Sequence, residues 1–316
     1  MKELNIIWLL PIILIQACAH MSSQDHSKQL SARLSIPNHD KANTVFYLTL
    51  PQGKSTFPIA VVCEGSSLSS DLESVWSLHQ YVQKDLESLG LAVLTIEKHG
   101  VDGQKIDRGL FFEHYTRSER LRDHLHVINH LLKNPPIGFD GRLIFIGASE
   151  GGPLVNLLSI HYPQTIATIN WSGAGDWSWP DELWAWIKDM RHKAGFAGQL
   201  YAWWQNVPKT RENFDVVMAK TLQNPSVQHW FMGMTYGYHA DAIRAPVLDY
   251  QKIHSPLLIV CGTRDSLINS CDAFVEKAKN AWAPVTYWRV EGMEHRISQN
   301  KENLIPRSFE WLKQRI

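Results

Sequence analysis

RLIFIGASEGGPLVNLLSI, residues 142–160, joins an apolar run of strand length to a helix-like segment through a turn of small residues. The turn reads G-x-S-x-G: Gly147, Ala148, Ser149, Glu150, Gly151. In a sharp strand-to-helix turn the central serine is pushed out of the backbone path into a strained conformation. The residues two before and two after it then crowd together, so neither tolerates a side chain. This spacing marks Ser149 as a candidate nucleophile, against the plainer reading of a serine in a glycine-rich turn. The Glu150 side chain is expected to point outward at the helix start, where a negative charge suits the helix dipole. Substrate contact is its alternative role.

Other strand-length apolar runs occur at 45–50, 58–65, 91–96, 165–171, 256–262 and 285–290. Most are continuous rather than alternating, as strands covered on both faces require. Between them lie helical patterns. Residues 71–90 place apolar side chains at 72, 75, 78, 82, 86 and 89 and end at Gly90, a C-terminal cap candidate. Residues 117–136 repeat them at 121, 125, 128 and 132 and stop at Pro135. This alternation predicts an α/β fold, a mostly parallel sheet flanked by helices, with antiparallel strands from the region 30–63 at one edge. Asp123, His126 and His130 share one face of the second helix. A solvated face opposite Leu121, Leu125 and Ile128 explains them more simply than a metal site, and no metal or other cofactor is expected.

One segment breaks the rhythm. Residues 176–250 contain no convincing strand and hold Trp177, Trp179, Trp184, Trp186, Trp203, Trp204 and Trp230. They read as a mainly helical insertion between two sheet strands. An insertion at the end of a parallel strand falls where such sheets bind ligands. A lid over a pocket is expected, with most of the tryptophans packing the insertion and a few lining the cleft.

A serine nucleophile needs a base, an acid to orient that base, and donors for the oxyanion. His295 follows the run 285–290 in the loop EGMEHRI, and Asp265 follows the run 256–262 in CGTRDSLI. The order is serine, acid, histidine, each on a loop after a strand, so all three would emerge at one carboxyl edge of a parallel sheet. Asp176 is a second candidate acid and His99 a second candidate base.

With the G-x-S-x-G turn at Gly147–Gly151, a G-T-x-D loop at Gly262–Asp265 and a G-x-x-H loop at Gly292–His295, the chain resembles the α/β-hydrolase superfamily over roughly residues 40 to 316. The resemblance implies Ser149 as nucleophile, His295 as general base and then acid, and Asp265 as the group that fixes the histidine tautomer. It implies a backbone oxyanion donor at Glu150. A second would come from the loop CEGSSLSSD (63–71), with Ser66 the first choice and Ser67 close behind. The expected substrate is a small-molecule acyl compound and the expected reaction carboxylic ester hydrolysis. Thioester and peptide cleavage are alternatives on the same residues, and a non-catalytic ligand-binding lipoprotein is the alternative from another class.

The 316 residues carry 31 basic and 31 acidic side chains, with no long basic block, so no electrostatic footprint for nucleic acid is present. At the N-terminus an apolar run from Leu4 to Ile15 is too short to span a bilayer but suits a secretory signal. The run ends Ile15-Gln16-Ala17-Cys18, which resembles a bacterial lipoprotein signal and implies lipid on Cys18, hence membrane attachment in the periplasm or cell envelope. Plain secretion, with cleavage near Ala17 or Ala19, and a retained segment are the other readings. Cys63 and Cys261 each close an apolar run and are expected as buried thiols. The expected organisation is a signal peptide at 1–17, a spacer at 18–40, a hydrolase core at 41–175 and 251–316, and a lid at 176–250.

Overall fold

The computed structural model describes residues 31–316 apart from 40–41, 69–70, 104, 174, 194 and 205. The signal peptide, Cys18 and the first part of the spacer lie outside the described residues. In chain order the sheet is built from β1 (Ser31–Pro37), β2 (Asn43–Thr49), β3 (Phe57–Cys63), β4 (Ala92–Ile96), β5 (Phe139–Ala148), β6 (Thr165–Trp171), β9 (Leu257–Gly262) and β10 (Val285–Val290). Its spatial order is β1-β2-β4-β3-β5-β6-β9-β10. β2 runs against β1 and β4, and from β4 to β10 neighbouring strands are parallel.

Helices cover both faces, and this is why the strands read as unbroken apolar runs. On β3, Ala60 and Val62 pack toward α1 (Trp76–Ser88) and α10 (Leu304–Lys313), through Val82, Leu86, Phe309 and Leu312. Ile59, Val61 and Cys63 pack the other way, toward α3 (Arg117–Lys133) and α4 (Gly151–His161), through Val127, Ile128, Val155 and Leu158. Each such aliphatic side chain contributes roughly 1.5–3 kcal/mol when fully buried. On the same side, α9 (Ile268–Asn280) covers β9 through Cys271, Phe274 and Val275. Gly90 follows α1 at φ +79°, the left-handed position expected of a C-terminal cap.

Residues 31–37, which fall both in the stretch read as spacer and in the region 30–63 expected to supply antiparallel edge strands, form β1. Its side chains are mostly exposed, so no apolar run announces it. Backbone pairing with β2, from Ser31 opposite Thr49 to Pro37 opposite Asn43, holds it at the sheet edge. The short helix α2 (Arg108–His114) and α9 were not anticipated from the sequence.

Between β6 and β9 the chain forms α5 (Trp179–Lys193), α6 (Gly195–Trp204), α7 (Arg211–Gln223), a small hairpin of β7 (Trp230–Phe231) and β8 (Met234–Thr235), and α8 (Tyr236–Arg244). Leu183, Ile187, Phe214, Met218 and Phe231 give this insertion a small core of its own, against which Trp179, Trp184 and Trp186 pack. The hairpin, two residues in each strand, is too short to leave a strand-like pattern in the sequence.

Candidate active site

The loop after β5 makes the turn that the glycines predict. Ser149 sits at φ +52°, a left-handed conformation unusual for a residue with a side chain. Its N–H donates to Trp171 O at 2.8 Å, and its own carbonyl accepts from Gly152 N–H at 2.8 Å. A Cβ on Gly147 would lie 2.3 Å from Gly151 O, and one on Gly151 would lie 2.4 Å from Cys63 O. Strand and helix therefore meet too closely for any side chain at either position.

The Ser149 hydroxyl donates to His295 Nε2 at 2.9 Å. His295 Nδ1 lies 3.1 Å and 3.0 Å from the two Asp265 oxygens. A carboxylate only accepts, so Nδ1 carries the proton and Nε2 is left to accept from Ser149. Asp265 is fully buried and also accepts from Leu267 N–H at 3.0 Å, while the Cys261 thiol donates to it at 3.9 Å. His295 keeps 42 % of its side-chain surface exposed. Desolvation opposes its positive charge, but the charge and hydrogen bond of Asp265 outweigh this and raise its pKa above the ordinary histidine value. The loops bearing the two residues are stitched together by Arg264 N–H to Met293 O at 3.0 Å and Gly292 N–H to Thr263 Oγ1 at 2.9 Å.

Beside the serine, the Glu150 side chain corrects its expectation. It is buried rather than outward. Its carboxylate accepts from Tyr115 Oη at 2.7 Å, from Arg120 Nη1 at 2.7 Å, from Arg117 Nε at 3.4 Å and from the Tyr238 hydroxyl. Burial alone would push this carboxyl up, yet the charges of Arg120 and Arg117 and the Tyr115 hydrogen bond overcome it and hold the group below its ordinary value. Burial and the Glu150 charge together push the Tyr115 phenol well above its usual range, so it stays a neutral donor. Arg120 Nη2 also donates to Glu64 O at 2.8 Å.

Of the two candidate second donors, Ser67 N–H already donates to Tyr115 Oη at 3.0 Å. Ser66 is exposed, and among the described residues nothing accepts from its N–H. Buried Lys98, which donates to Ser67 Oγ at 2.8 Å and pairs with the Glu64 carboxylate, braces the same loop.

The alternative site residues are engaged elsewhere. Asp176 accepts from the Tyr250 hydroxyl and pairs with Lys277 at 3.0 Å, not with His295. His99 is buried, its ring stacked on His114 at 4.3 Å. The solvated face expected around Asp123 is corrected too, because Asp123 is buried and accepts from Asn38 at 2.6 Å, and His126 contacts Pro37 O at 2.9 Å. Cys63, Cys261 and Cys271 are buried free thiols, and burial pushes Cys63 up to about 12. Among the described residues no group of three His, Cys, Asp or Glu could hold a metal ion, and no helix is long and apolar enough to cross a membrane.

The insertion reaches the candidate site through Tyr238 of α8, on the Glu150 carboxylate, and through Lys193, which donates to Glu294 Oε2 at 2.8 Å and to Arg264 O at 3.3 Å. Trp177 and Trp179 line a cavity of about 360 Å³ with Arg117, Leu157 and the Glu150 side chain. Ser149, Asp265 and His295 are not among the residues around it.

No family model matches the chain, and no curated protein matches it in sequence. Solved structures do match. The chain adopts the α/β-hydrolase fold. Est1E from Butyrivibrio proteoclasticus superposes with a TM-score of 0.58 at 18 % identity, over 90 % of this chain and 98 % of that one. A thermostable carboxyl esterase from Bacillus coagulans gives 0.61 at 15 %, over 91 % and 98 %. The same fold is shared with 2,6-dihydroxy-pseudo-oxynicotine hydrolase, at a TM-score of 0.59 and 16 % identity, over 90 % of this chain and 68 % of that one. At these identities the α/β-hydrolase fold is what is shared.

Proposed function

We propose that the protein is a serine hydrolase that cleaves a carboxylic ester through an acyl-enzyme on Ser149. One observation carries the reading: Ser149, His295 and Asp265 form a continuous hydrogen-bonded chain that ends on a serine held at φ +52°. Esterases among the structural neighbours, the Bacillus coagulans carboxyl esterase one of them, favour an ester over other acyl compounds.

Ser149 Oγ attacks the ester carbonyl carbon as His295 Nε2 takes its proton, and Asp265 stabilises the imidazolium without itself becoming protonated. The oxyanion accepts from the N–H groups of Glu150 and Ser66. His295 then returns the proton to the departing alkoxide, which leaves as an alcohol. Water attacks the acyl-enzyme by the same route and releases the acid. We further propose that the insertion covers the acyl site, and that the chain is exported and attached to a membrane through lipid on Cys18.

The test is hydrolysis of p-nitrophenyl esters from C2 to C12 by the protein and by Ser149→Ala. The reading expects turnover that disappears in the variant, with the preferred chain length sizing the acyl site. Absence of turnover on the whole series by folded protein would favour peptide substrates first and a binding role second.

A further inference from the structure

An oxyanion hole works only if its two donors are held at the right separation before the charge develops. Here the candidate donors come from different parts of the chain, Glu150 N–H at the start of α4 and Ser66 N–H in the loop after β3. That loop has no secondary structure of its own.

Two side chains span the gap. The Tyr115 hydroxyl accepts from Ser67 N–H at 3.0 Å and donates to Glu150 Oε2 at 2.7 Å. The Arg120 guanidinium donates through Nη2 to Glu64 O at 2.8 Å and through Nη1 to Glu150 Oε2 at 2.7 Å. Each joins the loop 64–68 to the residue after the nucleophile. Both are buried, Tyr115 in the junction after α2 and Arg120 in the first turn of α3, segments that otherwise have no part in the proposed chemistry. A buried Arg–carboxylate pair adds little net stability compared with a well-packed apolar replacement. It does fix geometry, because the guanidinium is a rigid planar fork and both of its contacts are made by one group.

We propose that Tyr115 and Arg120, acting through the Glu150 carboxylate, are positioning residues that set the spacing of the two oxyanion donors. The inference rests on the serine-hydrolase reading of Ser149. Lys98 also holds this loop, by donating to Ser67 Oγ at 2.8 Å, so the loop is expected to stay folded but free to shift when the Tyr115 bridge is lost.

The test uses Tyr115→Phe, which removes one hydroxyl and nothing else. Loss of a whole oxyanion donor costs about 10²–10³ in kcat, so a displaced donor should cost about tenfold or more. The expected pattern is a fall in kcat on p-nitrophenyl esters with KM changed less than about twofold. Affinity for a trifluoromethyl ketone, whose hemiketal oxyanion occupies the hole, should fall in parallel. Affinity for the corresponding methyl ketone, which stays trigonal, should hold. If Tyr115→Phe does not accumulate as folded protein, Glu150→Gln makes the same test, since it keeps the backbone donor and weakens the brace. Wild-type kcat and trifluoromethyl ketone affinity in a folded variant would overturn the brace, as would a loss confined to KM. Wild-type turnover in Ser149→Ala would bring down the serine reading and the brace together, whereas loss there with an unaffected Tyr115→Phe overturns the brace alone.

Discussion

Two hydrogen-bonded networks leave the chain at adjacent residues. From Ser149 one runs through His295 to Asp265 and stays partly open to solvent at the imidazole. From Glu150 the other runs inward to Arg120, Tyr115 and Tyr238 and is buried. In the proposed reaction the first would use a pre-oriented proton carrier, which must remain accessible to a substrate. The second contains an ion pair already desolvated in the resting protein, which is costly to break and suited to holding backbone in place. The difference separates residues that would react from residues that keep reacting atoms in register.

The largest effects should separate the networks most sharply. Asp265→Asn is expected to lower ester turnover by about 10⁴, through the wrong histidine tautomer, and to leave the unfolding temperature close to wild type. Arg120→Ala is expected to do the reverse to stability, because it strands the buried Glu150 charge at a cost of about 3–5 kcal/mol. Turnover and thermal unfolding of the two variants, measured side by side, would break the comparison if Arg120→Ala unfolded no more easily than Asp265→Asn.

A pH series sharpens it further. His295 must be neutral to accept the Ser149 proton and its pKa is raised, so kcat/KM should climb with pH to a plateau through a midpoint above 6.5. Stability should follow other histidines. Burial lowers His79 to about 4, His124 to about 3 and His239 to about 4. Between those values and the ordinary value near 6.5 the unfolded chain binds more protons than the folded one. The stability tied to these three histidines is therefore full above that window and lost as pH falls through it, by about 1.4 kcal/mol per pH unit for each. Activity and unfolding profiles with a common midpoint would mean that the site reports only global stability.

The smallest expected effect belongs to the insertion. Lys193 ties it to the loops of Asp265 and His295 by exposed contacts, so Lys193→Ala should cost less than about 1 kcal/mol in thermal unfolding. Separately, Cys18→Ser should release the protein from the membrane fraction into the soluble one. Unchanged fractionation would remove the lipid-attachment proposal.

What the sequence made legible follows the same division. β2–β6 and β9 left apolar runs because helices cover both their faces, while β10, partly exposed at the far edge, kept one through Val285, Tyr287, Trp288 and Val290. Ser149, Asp265 and His295 were legible because each stands on a short loop directly after such a strand. β1 lies in the region read as antiparallel edge strands but left no apolar run of its own, because an edge strand is held by backbone pairing and exposes its side chains. The Glu150 network escaped for a different reason. Arg120 occupies a position in α3 that reads as polar surface, and Tyr115 sits in the short junction after α2. A charge at a helix start is ordinarily solvated, and no local pattern says that a glutamate 30 residues from its arginine will be buried against it. The one available signal was the improbability of a carboxylate directly behind a nucleophile at a packed strand–helix turn.

Everything proposed for the site depends on Ser149 being the nucleophile. The most direct test is to treat the folded protein with a fluorophosphonate and locate the adduct by peptide mass spectrometry. One stoichiometric phosphonyl adduct is expected on the peptide containing Ser149, absent from Ser149→Ala and strongly slowed in Asp265→Asn. No adduct, or an adduct on another residue while ester hydrolysis continues, would contradict it.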